Sequence, residues 1–316
     1  MEIVALAGGV GASKLLVGLA HATAPENLTI VVNTGDDLEM HGLTICPDLD
    51  IVTYTLAGVV NPATGWGVEG DTFATLQFLG RYERETWFNL GDRDLATHIH
   101  RSDMLRRGFT LSECADSIRR SLGVRAHILP MSDQPVRTHI ETPAGVLPFQ
   151  HYLVKHRAEP VVKAIRFEGA DRSEPAPGVL GAIAGARGIV ICPSNPLISI
   201  GPILSVPGIR AALAARRDDV VAVCPIVGGM SLKGPTSKMM LELGIEVSAR
   251  SIAEMYRDIS SRIVIDESDA GLRPEIEAAG VAVEITRTVM DSEEDKWWLG
   301  HFLVNLLQAI ATHARI

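Results

Sequence analysis

The first 32 residues constrain the fold more than any other part of the chain. Glu2 to Ala7 is an apolar run of strand length, and it stops at Gly8-Gly9-Val10-Gly11. Ala12 to Thr23 then places Leu15, Leu16, Leu19 and Ala20 at helical spacing. Leu28 to Val32 is a second β-rich run. A strand, a glycine turn, a helix and a strand in so short a span make a βαβ unit, whose strands run parallel. Parallel sheets need helices on both faces, so the rest of the chain must supply both helices and further strands.

It does. Strand-like runs return at Gly188 to Cys192, Val220 to Cys224, Arg262 to Ile265 and Val281 to Ile285. Helical patterns separate them at Ile209 to Arg216, Ser237 to Leu243, Ile252 to Asp258 and Pro274 to Ala279. An amphipathic helix is predicted over Glu293 to Ala314. Between the two halves, Thr72 to Leu122 reads as mostly helical, followed by strands at Ala126 to Leu129 and Thr138 to Thr142. The expected fold class is α/β: a doubly wound, Rossmann-like, mainly parallel sheet with a smaller, partly helical second lobe. The core would use residues 1–71 and 179–316, with 72–178 as an inserted mixed lobe.

Composition excludes several partners. A net charge of −9 and 5% aromatic residues argue against a nucleic-acid binder, which needs a basic surface and stacking side chains. With such a charge, an anionic substrate needs local compensation from Mg²⁺ or from placed Lys and Arg. No stretch of about 18 apolar residues signals a membrane span. Met1 to Ala7 lacks a basic segment and a long apolar one, so no signal peptide is expected and a cytoplasmic location is. Cys46, Cys114, Cys192 and Cys224 are widely spaced, which suits buried free thiols rather than zinc or disulfides.

The chemistry gathers in the loops. Gly8, Gly9 and Gly11 let backbone N–H groups approach an anion at a helix start, and Lys14 can add a point charge. The loop is neither a Walker A sequence nor GxGxxG, since Lys14 stands where the third glycine would be. A nucleotide phosphate therefore suits it better than a dinucleotide, which weakens a dehydrogenase reading. The plain alternative is a tight strand–helix turn. Asn33, Asp36 and Asp37 follow the second strand, and Asp48 and Asp50 come soon after. Carboxylates beside a phosphate loop would repel the substrate unless a cation bridges them, and Mg²⁺ takes such oxygen ligands. On extended backbone Asp48 and Asp50 could share a side, one binding metal and the other accepting a hydrogen bond from a hydroxyl nucleophile. Any one of these aspartates could instead be a cap or a turn former.

Further along, Gly91-Asp92-Arg93-Asp94 precedes a helical run, where Arg93 could stabilise a transferring phosphoryl group. His98 and His100 stand two apart and would not share a helix face, which is poor ligand geometry. Pro193-Ser194-Asn195-Pro196 displays Ser194 and Asn195 on a rigid loop, suited to a nucleobase or ribose edge.

Seven motifs in order carry a resemblance over roughly residues 1–310. They are Gly8-Gly9-Val10-Gly11, Asn33-Thr34-Gly35-Asp36-Asp37, Pro47-Asp48-Leu49-Asp50, Gly70-Asp71-Thr72-Phe73, Gly91-Asp92-Arg93-Asp94 with Leu95 to His98, Pro130-Met131-Ser132-Asp133 and Pro193-Ser194-Asn195-Pro196. The chain resembles the 2-phospho-L-lactate transferases (CofD-like) of coenzyme F420 biosynthesis. The resemblance implies a Mg²⁺-dependent transferase. Its substrates would be the deazaflavin Fo and a guanosine-diphospho organic acid, with GMP released. It implies that Asp50 and the position of Asn89 contact the deazaflavin. It also implies that the glycine loop, Ser194 and Asn195 hold the guanosine diphosphate part. Mg²⁺ is expected at Asp36, Asp37, Asp48 and Asp50, with Asp48, Asp50 and Arg93 as catalytic candidates. Relatives often carry Lys or Arg where this chain has Asn89, so Arg93 is the better source of charge. A homodimer is expected through the C-terminal helix. The competing reading is a non-catalytic nucleotide-sugar-binding regulator of the gluconeogenesis-factor-like type. Those binders carry a Ser-rich segment after the Asp pair, where this chain has Leu38-Glu39-Met40-His41-Gly42.

Overall fold

The computed structural model describes residues 1–313. Its centre is one seven-stranded sheet. The strands are β1 (Ile3–Ala7), β2 (Leu28–Val32), β3 (His127–Pro130), β4 (Gly188–Ile191), β5 (Val220–Val223), β6 (Arg262–Asp266) and β7 (Ala282–Thr286). Their spatial order is β7-β6-β5-β4-β1-β2-β3, and every neighbouring pair is parallel. Winding runs outward from β1 in both directions, so the doubly wound expectation is met. The point of reversal lies between β1 and β4, where Leu6 pairs with Ile191.

Alternation along β1 shows why both faces are covered. Ile3, Ala5 and Ala7 enter one core, and Val4 and Leu6 enter the other. The first core is closed by α1 (Gly9–Ala22), α2 (Pro47–Leu56), α4 (Leu111–Ser121) and α5 (Glu293–His313). It contains Leu15, Leu19, Leu49, Val52, Leu299 and Leu303. The second core gathers Val179, Ile183, Ile209, Leu213, Ile252 and Ile276 from the helices of the other face. Each such side chain contributes about 1.5–3 kcal/mol by leaving water. Helices α1 and α5 meet backbone to backbone: a Cβ on Gly18 would overlap the Lys296 carbonyl, and one on Gly300 would overlap the Gly18 backbone.

Two details differ from the sequence reading. The stretch Asn33 to Asp50 is not one open connection. It holds a short antiparallel pair, Leu38–Met40 with Leu43–Ile45, and then the first turn of α2. Pro47 stands in that first turn, where a missing N–H costs nothing. Residues 72–178 are also not one separate lobe, because β3 falls inside them and joins the main sheet beside β2. What leaves the sheet is two excursions. One carries the helix Ala74–Arg81 and α3 (Asp92–Arg106), before α4 returns to the first core, and the other is a three-stranded antiparallel sheet of Gly145–Pro148, Arg137–Thr142 and Ala164–Glu168. Ala314, set at the end of the last helix from sequence, lies outside the described residues. The four cysteines are free and buried. Among the described residues no helix is long and apolar enough to cross a membrane.

Candidate functional site

Gly8 follows β1, Asn33 follows β2, and Cys192-Pro193-Ser194 follows β4, so three loops open at the carboxyl ends of the strands where the winding reverses. That crevice is where doubly wound sheets take ligands. The loops are tightly joined. The Gly8 N–H donates to Ser194 Oγ at 3.3 Å, and a Cβ on Gly8 would sit 2.7 Å from Asp48 Oδ2. Gly9 has φ of +72°, and a Cβ on Gly11 would come within 2.7 Å of the Pro193 carbonyl. These contacts reserve the positions for glycine whatever the ligand.

The glycine turn already has a carboxylate on it. Gly9 N–H donates to Asp48 Oδ1 at 2.9 Å, and Asn33 Nδ2 donates to Asp48 Oδ2 at 2.9 Å. Asn33 is fixed in turn, because its Oδ1 accepts from Gly35 N–H at 2.8 Å. Asp36, Asp37, Asp48 and Asp50 are all buried. Burial drives the Asp36 carboxyl far above the ordinary range, with Asp48 adding repulsion. Burial lifts Asp48 to about 6 against the pull of Asn33 and Gly9, and lifts Asp37 to about 7 against Arg137. Asp36 Oδ1 and Asp37 Oδ1 are buried without an aligned hydrogen-bond donor. Burial that disfavours the charge on Asp36, Asp37 and Asp48 is what a nearby cation would offset, but among the described residues the ligand atoms that gather within 4.8 Å of one another are those of Asp50, Asp94 and His98.

Asp50 faces elsewhere. Because Asp48 and Asp50 sit in the first turn of a helix, they point apart instead of sharing a side. Asp50 Oδ1 pairs with Arg101 Nη2, and its Oδ2 accepts from Arg101 Nη1 at 3.2 Å. Arg101 is fully buried and held charged by that partner. Behind it, His98 Nδ1 lies 3.6 Å from Asp50 and Nε2 lies 3.3 Å from Asp94. Tyr54 donates to Asp94 at 2.8 Å. Asp50, Asp94 and His98 are close enough to hold an ion, but the guanidinium already supplies the positive charge. Sequence reasoning missed Arg101 and set His98 aside. The signal was there: Asp94, His98 and Arg101 are spaced i, i+4, i+7, one face of α3.

The other expected residues are placed as follows. Lys14 Nζ donates to the Met290 carbonyl at 2.6 Å, and burial, then the charges of Lys233 and Lys296, lower its pKa. Arg93 is exposed, and its Nη1 donates to the Glu69 carbonyl at 2.9 Å. It thereby anchors the loop whose Gly65 packs on Val10. Asp71 accepts from the N–H groups of Arg93 and Asp94, and so caps α3. Asp92 does the same for the helix Ala74–Arg81. Asn195 Oδ1 caps the turn Pro196–Ile200, accepting from Leu197 N–H at 2.8 Å. Asn89 is exposed. His100, as expected, faces away from His98 and meets Ser117.

The raised carboxyl of Asp37 makes a pH prediction. A pKa lifted from 3.8 to about 7 means the fold prefers the protonated group. That contribution is full below about pH 4 and is lost as pH rises through 7. Against metal-free wild type, Asp37→Asn is expected to be near neutral at pH 4 and more stable by roughly 3 kcal/mol at pH 8. Urea denaturation at both pH values measures this, and an equal gap at the two would refute it.

The family described as "2-phospho-L-lactate transferase CofD" matches residues 3–293. A phosphoenolpyruvate transferase of Streptomyces griseus is 43% identical over 303 residues, covering 92% of this chain and 95% of its own. A 2-phospho-L-lactate transferase of Methanosarcina mazei is 40% identical over 302 residues, covering 96% of this chain and 99% of its own. Among solved structures, a member of the UPF0052 family from Bacillus halodurans is similar with a TM-score of 0.61. At 18% identity over 96% of this chain and 98% of that one, the likeness concerns the fold alone.

Proposed function

We propose, from the premise that this chain belongs to the CofD family of 2-phospho-L-lactate transferases, that it joins a phospho-organic acid to the deazaflavin Fo. The donor is the guanosine diphosphate ester of that acid. The terminal ribityl hydroxyl of Fo attacks the phosphorus that carries the acid. The new P–O bond forms as the bond to GMP breaks, GMP leaves, and the hydroxyl proton goes to solvent or a carboxylate. One observation supports this most. Asp48 lies on the glycine turn at 2.9 Å while Asp36 crowds it, so a phosphate on the turn and a cation at these carboxylates would adjoin.

Each residue then has work that its position permits. The small residues Gly8, Gly9 and Gly11 let the diphosphate approach the start of α1, although the Gly8 and Gly9 N–H groups are engaged by Ser194 and Asp48, and Lys14 and Lys233 add positive field. Ser194 and Asn195, whose Nδ2 rests on the Met239 sulfur, border the guanosine. Asp50, fixed by Arg101, orients the acceptor hydroxyl as a hydrogen-bond acceptor, and Asn89 borders the ring. Asp36, Asp37 and Asp48 would hold Mg²⁺, which supplies charge neutralisation to the diphosphate. Such transfer needs positioning and electrostatics more than a covalent nucleophile.

The test mixes purified protein with Fo and the guanosine-diphospho ester of lactate, enolpyruvate or glycerate, with and without Mg²⁺. Mg²⁺-dependent GMP release with at least one donor is expected. Tight binding of a donor with no GMP release under any condition would favour the non-catalytic regulator instead.

A further inference from the structure

A cavity of about 250 Å³ opens beside the acidic cluster. Asp36 and Asp37 form one wall, Arg137 and Thr138 of the antiparallel sheet another, and Trp87 and Gln150 close it. The volume is just under the ~300–1,000 Å³ typical of sites for drug-sized ligands. It can take a small acid and its phosphate but not a whole guanosine ester. Arg137 is the one Lys or Arg among its lining residues. Its Nη1 donates to the neighbouring Val136 carbonyl at 2.9 Å, which fixes the side chain. Asp37 feels its charge, yet Arg137 forms no ion pair among the described residues. Two further donors line the cavity. Thr138 Oγ1 lies by Asp36, and Trp87 Nε1 lies by Glu85, both buried without an aligned hydrogen bond.

A half-buried guanidinium with free donors, between acids it does not pair with, is built to receive an anion. Its planar fork matches a carboxylate in a way that an ammonium does not. The cavity begins at Asp36, which also borders Asp48 on the glycine turn. A donor with its diphosphate on the turn can therefore extend its acid end into this space. We propose that Arg137 grips the carboxylate of the transferred organic acid, and that this cavity selects which acid is accepted. The assignment rests on the transferase reading above. It makes Arg137 a specificity residue, separate from the groups that hold nucleotide, metal and acceptor.

The experiment uses the full chain, the donor that it turns over, and that donor with its carboxylate replaced by a carboxamide. Wild type is expected to prefer the carboxylate donor by roughly 10²-fold in kcat/KM, as for a buried charge-assisted contact. Arg137→Gln should lose about that factor on the carboxylate donor, chiefly through KM, and stay within about threefold on the amide. Arg137→Lys should recover part of the loss. Guanosine diphosphate affinity by calorimetry and the KM for Fo should hold in both variants, which a merely structural defect would not permit. An equal loss on both donors overturns the assignment. So does an effect confined to the KM for Fo, which would give the cavity to the acceptor ring. A wild type that binds guanosine diphosphate yet releases GMP from neither donor overturns the transferase reading itself. An active wild type with an indifferent Arg137→Gln overturns only this assignment.

Discussion

Arg101→Met is expected to destabilise the protein by about 3–5 kcal/mol, the cost of leaving a buried charge without its partner. Arg101 and Asp50 are both buried, and the guanidinium takes both carboxylate oxygens. Asp37 and the Cys46 thiol also feel its charge. Methionine of similar length would fill the space and leave Asp50 beside Asp37 without its guanidinium partner. Adding Asp50→Asn should recover most of the loss, since the stranded charge goes with it. Urea denaturation of the single and double variants makes the measurement. A single variant within 1 kcal/mol of wild type, or a double variant no better than the single, would show that the pair does not carry this burden.

The second large effect separates activity from stability. Asp48→Asn should lower kcat/KM by about 10²–10³, the range for removing one preorganised charge-stabilising group. The same change should raise the stability of the metal-free protein at pH 8. Asp48 is lifted to about 6 by burial and crowds Asp36. Its ionised form is therefore disfavoured in the fold, and the gain at pH 8 should be about 1–3 kcal/mol. Below about pH 4 the gain vanishes. Activity and melting temperature should thus move in opposite directions at pH 8, and the dependence on added Mg²⁺ should weaken. Variants that lose activity and stability together would mean that Asp48 is chiefly a strut for the glycine turn.

Much of this was legible in the residues themselves. Buried parallel strands read as unbroken apolar runs, so Ile3–Ala7, Val220–Val223 and Arg262–Asp266 stood out, and the turn after the first fixed the winding. What stayed hidden depends on long-range packing. Nothing local says that His127–Pro130 pairs beside Leu28–Val32 rather than inside a lobe. Pro47 followed by two acids was a helix start written in plain chemistry, and reading it as extended put Asp48 and Asp50 on one side. The aspartates of the Gly-Asp pairs were harder, because Asp71 and Asp92 carry the same sequence signature as a ligand but cap helices. Arg93, polar and exposed, resembled a catalytic cation, while the cation that grips Asp50 lay eight residues on, inside the helix face.

The crossing of α1 and α5 at Gly18 and Gly300 has a consequence for how the molecule is born. The helix that starts at the glycine turn finds its long partner only in the final tenth of the polypeptide. Until the ribosome has delivered that segment, Leu15 and Leu19 lack Leu299 and Leu303 to rest on. Synthesis stopped short of residue 293 would therefore release a chain that has β1, the glycine turn and the acidic cluster but lacks the helix against which α1 packs.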